Sequence, residues 1–88
     1  MTYTAPEVSA VNRIYPNIRA LREDSDTSQA VLAERLGMSQ TGYSKYETGE
    51  NDIPTEILIH LAEMYHTSVD YLLGLTDERR AYPRKKRP

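Results

Sequence analysis

The 88-residue sequence predicts an all-α fold, because its apolar residues recur at intervals of three to four positions. Serine stands immediately before three of these periodic segments, where its side chain can accept a hydrogen bond from free helix N–H groups. The chain has no cysteine, so neither a disulfide framework nor a thiolate metal site is available to stabilise it. Such a small chain must rely on packing, and a helical bundle with short loops suits that need.

The first predicted helix runs from about Pro16 to Asp24, since proline fits a first helical turn and Ile18 and Leu21 face inward. A short connection at 25–27 leads to the next helix. Residues 1–14 show no helical period and include a proline, so we expect them to form a flexible N-terminal arm.

Residues 29–46 have the spacing of a helix-turn-helix. The second predicted helix runs from about Gln29 to Leu36 and the third from about Gln40 to Thr48. Ala33 is small where the two helices must cross closely, and Gly37 lies at a corner that needs a positive φ. In DNA-binding proteins this geometry lets the N-terminal residues of the second helix of the pair reach base edges in the major groove.

Two further helices follow a loop at 50–54. The fourth predicted helix runs from about Thr55 to Tyr65 and has one apolar face. The fifth is short, about Val69 to Leu73, with Ser68 as its N-cap and Gly74 as its stop signal. The sequence thus predicts one helix-turn-helix domain over residues 15–78, followed by a basic disordered tail at 79–88.

Four segments resemble, in order, the Cro/C1-type (XRE-like) helix-turn-helix family of bacterial and phage regulators. They are NIRALRED at 17–24, SQAVLAERLGMSQTGYSKYETGE at 28–50, IPTEILIHLAEMY at 53–65 and SVDYLLGLTD at 68–77. Four ordered segments are far more specific than the turn alone. The resemblance implies a compact five-helix, phage-repressor-like domain that binds double-stranded operator DNA, commonly as a homodimer on a palindromic site.

The resemblance also implies that the outer face of the third helix reads bases. Glutamine can pair with the major-groove edge of adenine, a threonine methyl can pack on thymine, and lysine can donate to guanine or a phosphate. Gln29 matches a position that holds a phosphate and braces Gln40, and Gly42 would permit close approach to DNA. In isolation the same side chains would indicate only a solvated helix face. The expected DNA contacts are Gln29, Gln40, Thr41, Gly42, Ser44, Lys45 and Thr48.

Arg22 and Glu47 match positions that form an internal ion pair in relatives of this type. A guanidinium and a carboxylate can make paired, charge-assisted hydrogen bonds between the first helix and the reading helix. Tyr43 and Tyr46 stand where the motif usually has aliphatic residues, and we expect both to pack in the core.

Three acidic residues depart from the family pattern. Asp26 replaces a glycine, and aspartate tolerates left-handed backbone geometry better than most residues. Glu50 and Asp52 stand where relatives are often basic, which puts phosphate contact through this loop in question.

Charge is divided unevenly along the chain. Residues 1–78 carry five basic and thirteen acidic side chains, a net charge of −8, whereas the whole chain carries −2. We expect the tail either to supply phosphate contacts that the domain lacks or to fold back onto its acidic surface. The six cations of the tail are Arg79, Arg80, Arg84, Lys85, Lys86 and Arg87.

Enzyme and metal functions find little support in the sequence. His60 and His66 fall on different sides of the fourth helix, and no GxSxG, P-loop or HExxH pattern occurs. We therefore expect no catalysis, metal, cofactor or small-molecule ligand. Because no apolar run approaches the length of a bilayer span and no secretion signal is evident, the predicted location is cytoplasmic, without membrane contact.

Two functions are compatible with the sequence. The first is a sequence-specific transcriptional regulator that binds as a dimer, with Tyr71, Leu72 and Leu75 near the dimer contact. With no inducer-binding domain in the sequence, we expect control through amount, oligomerisation or another protein. The second is a protein-binding helix-turn-helix module, such as an antitoxin or antirepressor, whose acidic surface engages a basic partner. The polar outer face of the third helix favours the first function, because an interaction module more often exposes apolar residues.

Overall fold

A computed structural model describes residues 14–81 and residue 83. Five helices follow one another, and no strand occurs within the described residues. The predicted five-helix, all-α fold is confirmed. α2, α4 and α5 each end one residue earlier than expected, because the residue predicted to be last is the C-cap that follows the helix. The helices are α1 (Pro16–Asp24), α2 (Gln29–Arg35), α3 (Gln40–Thr48), α4 (Thr55–Met64) and α5 (Val69–Leu72).

Serine caps begin three of the helices, as the sequence predicts. The hydroxyl oxygens of Ser28, Ser39 and Ser68 each accept a hydrogen bond from the backbone N–H three residues later, at 3.1, 3.1 and 3.0 Å. Each cap satisfies a donor that has no partner within its helix. The starts of α2, α3 and α5 are therefore fixed by local sequence.

Left-handed residues set the corners between the helices. Gly37 has a φ of 71° between α2 and α3, and Asp26 has a φ of 55° after α1, both as expected. His66, with a φ of 53°, makes a similar turn after α4 that sequence reasoning did not identify. Histidine is among the few non-glycine residues enriched in this conformation.

The core joins the helix-turn-helix pair to the C-terminal helices. α1 packs against both α3 and α5, while α2 packs on α3 and α4 on α5. Tyr43 is completely buried, which confirms its predicted core role, and Tyr46 is half-buried with its ring edge-on to that of Tyr43. The fully buried leucines at 32, 61 and 72 come from α2, α4 and α5. One hydrophobic core thus holds α3 in place.

Candidate nucleic-acid interface

A polar cleft of about 300 Å³ lies between the start of α2, the outer face of α3 and the loop that follows it. Six of the seven predicted DNA-contact residues line this cleft, together with one residue, Glu50, whose role the sequence left open. The lining residues are Gln29, Gln40, Thr41, Ser44, Lys45, Thr48 and Glu50. The fold therefore brings the predicted contact residues onto one surface.

Exposed side chains of the cleft lie at both ends of α3. Gln40, Thr41 and Thr48 are exposed, whereas Ser44 and Lys45 are half-buried. Lys45 is the single cation and Glu50 the single anion among the lining residues, so the formal charge of the cleft is zero. Such a surface offers hydrogen-bond donors and acceptors but little net attraction for phosphate.

Gly42, the seventh predicted contact, has a role inside the protein. Its backbone N–H donates to the Ser39 hydroxyl at 3.1 Å. A Cβ atom at this position would lie 3.2 Å from both the Met38 Cε and the Ser39 Oγ, closer than most side-chain contacts. The missing side chain thus lets Met38 and the N-cap of α3 pack against the first turn of the helix.

Behind the cleft, the Glu47 carboxylate accepts hydrogen bonds from three side chains. The Arg22 guanidinium donates twice, through Nε to Oε2 at 2.7 Å and through Nη2 to Oε1 at 3.0 Å. The Tyr43 hydroxyl donates to Oε2 at 2.5 Å, and the Gln29 amide donates to Oε1 at 3.0 Å. This Glu47 cluster contains the ion pair that the resemblance implied and ties α1, α2 and α3 together.

The ionisation of the Glu47 cluster follows from these contacts. Burial acts to raise the pKa of Glu47, but the hydrogen bonds from Arg22, Tyr43 and Gln29 outweigh it and lower that pKa below its ordinary value. Burial and the neighbouring carboxylate raise the pKa of Tyr43, so its hydroxyl stays protonated as a donor. The hydrogen bond to Glu47 raises the pKa of Arg22, and the ion pair remains charged at neutral pH.

The sequence anticipated the pairing of Arg22 with Glu47, but not the hydrogen bonds that Glu47 also accepts from Gln29 and Tyr43. Gln29 was expected to brace Gln40, whereas its amide donates to Glu47 instead. This difference arises because Glu47, one helical turn from Tyr43 on α3, points back toward the start of α2. The spacing of four residues between Tyr43 and Glu47 was a signal that could have indicated their contact.

The two acidic residues after α3 have different environments. The Asp52 carboxylate accepts a hydrogen bond from the backbone N–H of Ile53 at 3.0 Å and one from the Tyr15 hydroxyl at 3.5 Å. Glu50 lines the polar cleft and is exposed. The carboxylate that affects the cleft is therefore Glu50.

The region predicted to form a dimer contact is divided between core and surface. Leu75 is 73% exposed and Tyr71 is half-buried, but Leu72 is completely buried. Leu72 therefore packs in the core and cannot itself contact a second copy, whereas a dimer contact near this region stays a prediction. The side chains of Leu75 and Tyr71 are at least partly exposed and can still contact a second copy.

The start of the basic tail lies against the domain. The buried Thr67 hydroxyl donates to the Arg79 carbonyl oxygen at 2.6 Å, and the Arg79 Nη1 lies 3.8 Å from the Asp24 carboxylate. Arg80 is exposed. The other four cations, at 84–87, fall outside the described residues, as does the predicted arm up to residue 13.

The described part of the chain contains no group of three or more histidine, cysteine, aspartate or glutamate residues that could hold a metal ion. Among the helices described, none is long and apolar enough to cross a membrane.

Comparison with known proteins gives a consistent result. A family profile described as helix-turn-helix matches residues 18–72. The HTH-type transcriptional regulator YobD of Bacillus subtilis is 39% identical over 61 residues, which are 69% of this chain and 54% of YobD. The phage CTXphi transcriptional repressor RstR of Vibrio cholerae is 39% identical over 59 residues, 65% of this chain and 53% of RstR.

A third relative belongs to a different functional class. Antitoxin PezA of Streptococcus pneumoniae is 29% identical over 58 residues, which cover 66% of this chain and 37% of PezA. The chain spans about half the length of the first two relatives and less of the third.

Proposed function

The chain belongs to the Cro/C1-type helix-turn-helix family, and from this membership we propose that it is a sequence-specific DNA-binding regulator of transcription. The observation that carries the proposal is the polar cleft, because it gathers exposed hydrogen-bonding side chains on the second helix of the helix-turn-helix. In this proposal α3 enters the major groove, and the protein acts without catalysis or a cofactor.

Gln40 and Thr41 are the proposed base-reading residues. Both are exposed in the first turn of α3, and no hydrogen bond to the Glu47 cluster restrains them. The Gln40 amide can donate to N7 and accept from N6 of an adenine, while the Thr41 methyl can pack on a thymine. Ser44, Lys45 and Thr48 would contact bases or phosphates farther along the helix.

Selection of binding sites from random duplex DNA, followed by gel-shift titration, tests this proposal. We expect Gln40→Ala to weaken binding to the selected site by about 1–3 kcal/mol and to leave binding to nonspecific DNA unchanged. His60→Ala, at an exposed position of α4, is the matched control. Equal losses of Gln40→Ala on selected and nonspecific DNA would contradict base reading.

Gln29 is proposed to contact a phosphate while it remains bonded to Glu47. Its amide nitrogen has a second hydrogen that can face the cleft, since the first is donated to the Glu47 carboxylate. A loss of affinity on every DNA sequence, with the base preference unchanged, is expected for Gln29→Ala. Altered base preference would instead assign Gln29 to the reading surface.

Two copies are proposed to bind one palindromic operator, because one reading helix covers few base pairs. Leu75 is 73% exposed and is an apolar side chain suited to a contact between copies. Light scattering on the intact selected duplex would measure two chains per duplex. A 1:1 complex would reject dimeric binding.

The basic tail is proposed to raise affinity through phosphates, since the polar cleft has no net charge. Truncation after Glu78 should flatten the plot of log affinity against log salt by about 0.9 for each phosphate that the tail neutralises. The truncation should weaken binding to selected and to nonspecific DNA by similar amounts. Tighter binding after truncation would show instead that the tail shields the domain.

A protein-binding role, as in an antitoxin, is the second candidate. It is favoured by the net charge of −8 on residues 1–78 and by the similarity to an antitoxin. The same site selection separates the two functions. Failure to enrich any sequence, with the protein folded, would favour the protein-binding role.

A further inference from the structure

Glu50 is the acidic residue of the polar cleft, and the proposed DNA contacts leave it without a role. Its side chain is exposed and lines the cleft together with Gln40, Thr41 and Lys45. Within the part of the chain that the structure describes, the Glu50 carboxylate makes no ion pair and accepts no hydrogen bond. We infer that Glu50 selects a cytosine in the operator, because its carboxylate can accept a hydrogen bond from the N4 amino group of that base.

The backbone at Glu50 is held against the last turn of α3. Gly49 ends the helix with a φ of 81° and turns the chain. The N–H of Glu50 then donates to the Thr48 hydroxyl at 3.4 Å, and the N–H of Asn51 donates to the Lys45 carbonyl at 3.1 Å. These contacts keep the backbone of Glu50 beside the cleft, so its carboxylate extends from a fixed position.

A carboxylate in the major groove discriminates between bases because an ionised carboxylate can only accept hydrogen bonds. Cytosine presents an amino donor in this groove, whereas guanine and thymine present acceptors that repel a carboxylate. Adenine also has an amino group, but its N7 acceptor lies beside that group. The carboxylate of Glu50 therefore matches cytosine better than it matches the other three bases.

Displacement of water from the cleft strengthens this selection. When DNA covers the cleft, the Glu50 carboxylate loses water, and an ion that has lost its water is costly unless it is paired. A sequence with cytosine at this point supplies a hydrogen-bond donor, whereas other sequences leave the cost uncompensated. The same side chain thus favours one base and opposes the others.

This inference rests on the proposed DNA-binding function and adds a base to the operator that α3 reads. Gln40 and Thr41 lie in the first turn of α3, whereas Glu50 follows its last residue by two. The eight steps from Gln40 to Thr48 span roughly 12 Å, which exceeds the spacing of about 3.4 Å between stacked base pairs. The cytosine is therefore expected at a different base pair from those that depend on Gln40 and Thr41.

Selection of binding sites from random duplex DNA tests the inference with Glu50→Ala and, as the control, Asp52→Asn. Both variants remove one negative charge from the loop after α3, but Asp52 is not among the residues that line the cleft. Wild type and Asp52→Asn should select a cytosine at one position of the site that each chain reads, whereas Glu50→Ala should show no preference there. The bases that depend on Gln40 should be the same in all three proteins.

Gel-shift titration then measures the contact with the DNA changed as well as the protein. Exchange of the selected C·G pair for T·A replaces the amino donor with an acceptor. It should weaken binding of wild type about 5- to 150-fold and leave binding of Glu50→Ala nearly unchanged. If Glu50→Ala does not fold, Glu50→Gln replaces it. Its amide can donate to the thymine, so the exchange should cost this variant less than it costs wild type.

Three other results would overturn the role of Glu50. The first is an unchanged base preference in Glu50→Ala, and the second is the loss of a preference for a base other than cytosine. The third is tighter binding of both Glu50→Ala and Asp52→Asn to every DNA with the same bases selected, which would show that Glu50 only repels phosphates. Failure of wild type to enrich any sequence would, by contrast, reject the proposed function itself and this inference with it.

Discussion

The turn after α1 and the turn after α4 have the same order of residues: a left-handed residue, a threonine, and a serine that caps the next helix. Asp26 and His66 have φ angles of 55° and 53°. Thr27 donates its backbone N–H to the carbonyl of Arg22 at 3.1 Å, and Thr67 donates to that of Ala62 at 2.9 Å. Local sequence therefore produces the same backbone twice.

The two threonines nevertheless hold different parts of the molecule. Thr27 is half-buried, its hydroxyl bonds to Ser25 within the turn, and its carbonyl accepts from Arg22 of the Glu47 cluster. The Thr67 hydroxyl is buried and reaches Arg79. The comparison shows that a turn is specified locally, whereas its partners depend on the packing around it.

The largest expected difference between the two turns comes from removing the ion pair of Arg22 and Glu47, because Arg22 also donates to the turn after α1. We expect Arg22→Ala and Glu47→Ala each to lower the free energy of unfolding by about 3–5 kcal/mol, since each leaves a buried charge without its partner. The double variant should cost less than the sum. Denaturant unfolding measures all three. Arg19→Ala, which breaks the exposed pair with Glu23, is the control and should cost about 0.3–0.5 kcal/mol.

Acid should weaken the first turn through the same carboxylate. The pKa of Glu47 is lowered on folding, so its stabilisation is present above its ordinary value of 4.5 and is lost as the pH falls below that value. Urea unfolding of wild type and Glu47→Gln across this range isolates the effect. The stability difference between them should shrink as the pH falls, and a constant difference would argue against the lowered pKa.

Loss of the hydroxyl should affect the second turn more than the first. Thr67→Val removes a buried donor and should cost about 1 kcal/mol of unfolding free energy, because the Arg79 carbonyl loses its partner. Thr27→Val removes only hydrogen bonds to Ser25 within the same turn and should change the free energy of unfolding by no more than about 0.5 kcal/mol. Equal costs would mean that the Thr67–Arg79 bond does not stabilise the fold.

The smallest expected effect concerns the left-handed residues themselves. Glycine at 66 relieves a backbone cost of about 1–2 kcal/mol but adds about 0.4–1 kcal/mol of chain entropy in the unfolded state. His66→Gly should thus be stabilising by about 0.8 kcal/mol, the difference between the midpoints of these two ranges. Asp26→Gly should be close to neutral, since aspartate tolerates this conformation. Thermal unfolding of the two variants side by side measures the difference.

Much of the fold could be read from the sequence because its signals are local. Capping serines, corner glycines and the apolar period located all five helices to within one residue. The turn at His66 was missed because histidine has weaker conformational preferences than glycine. The burial of Leu72 was not foreseen because a helix of four residues has too few positions to reveal which side faces the core.

The sequence allowed the residues that line the candidate site to be predicted, but not most of the hydrogen bonds between side chains around it. Positions in the helix-turn-helix located six residues of the polar cleft, and Arg22 was matched to Glu47. The bonds from Gln29 and Tyr43 to Glu47, and from Thr67 to Arg79, join groups whose meeting depends on how helices and loops pack. The spacing of side chains along α3 could have indicated the contact between Tyr43 and Glu47. It could not have indicated the contacts of Gln29 and Thr67, whose partners lie on other segments.

The position of Glu47 behind the cleft has a consequence for how such a protein can change its target. Because Glu47 binds side chains of α1, α2 and α3 while Gln40 and Thr41 stay outside this cluster, the scaffold and the proposed reading residues can vary independently. Gln29 is the exception, since it lines the cleft and bonds to Glu47. Under the proposed function, new operator preferences should therefore arise most readily at 40 and 41, where substitution leaves the hydrogen bonds of the Glu47 cluster intact.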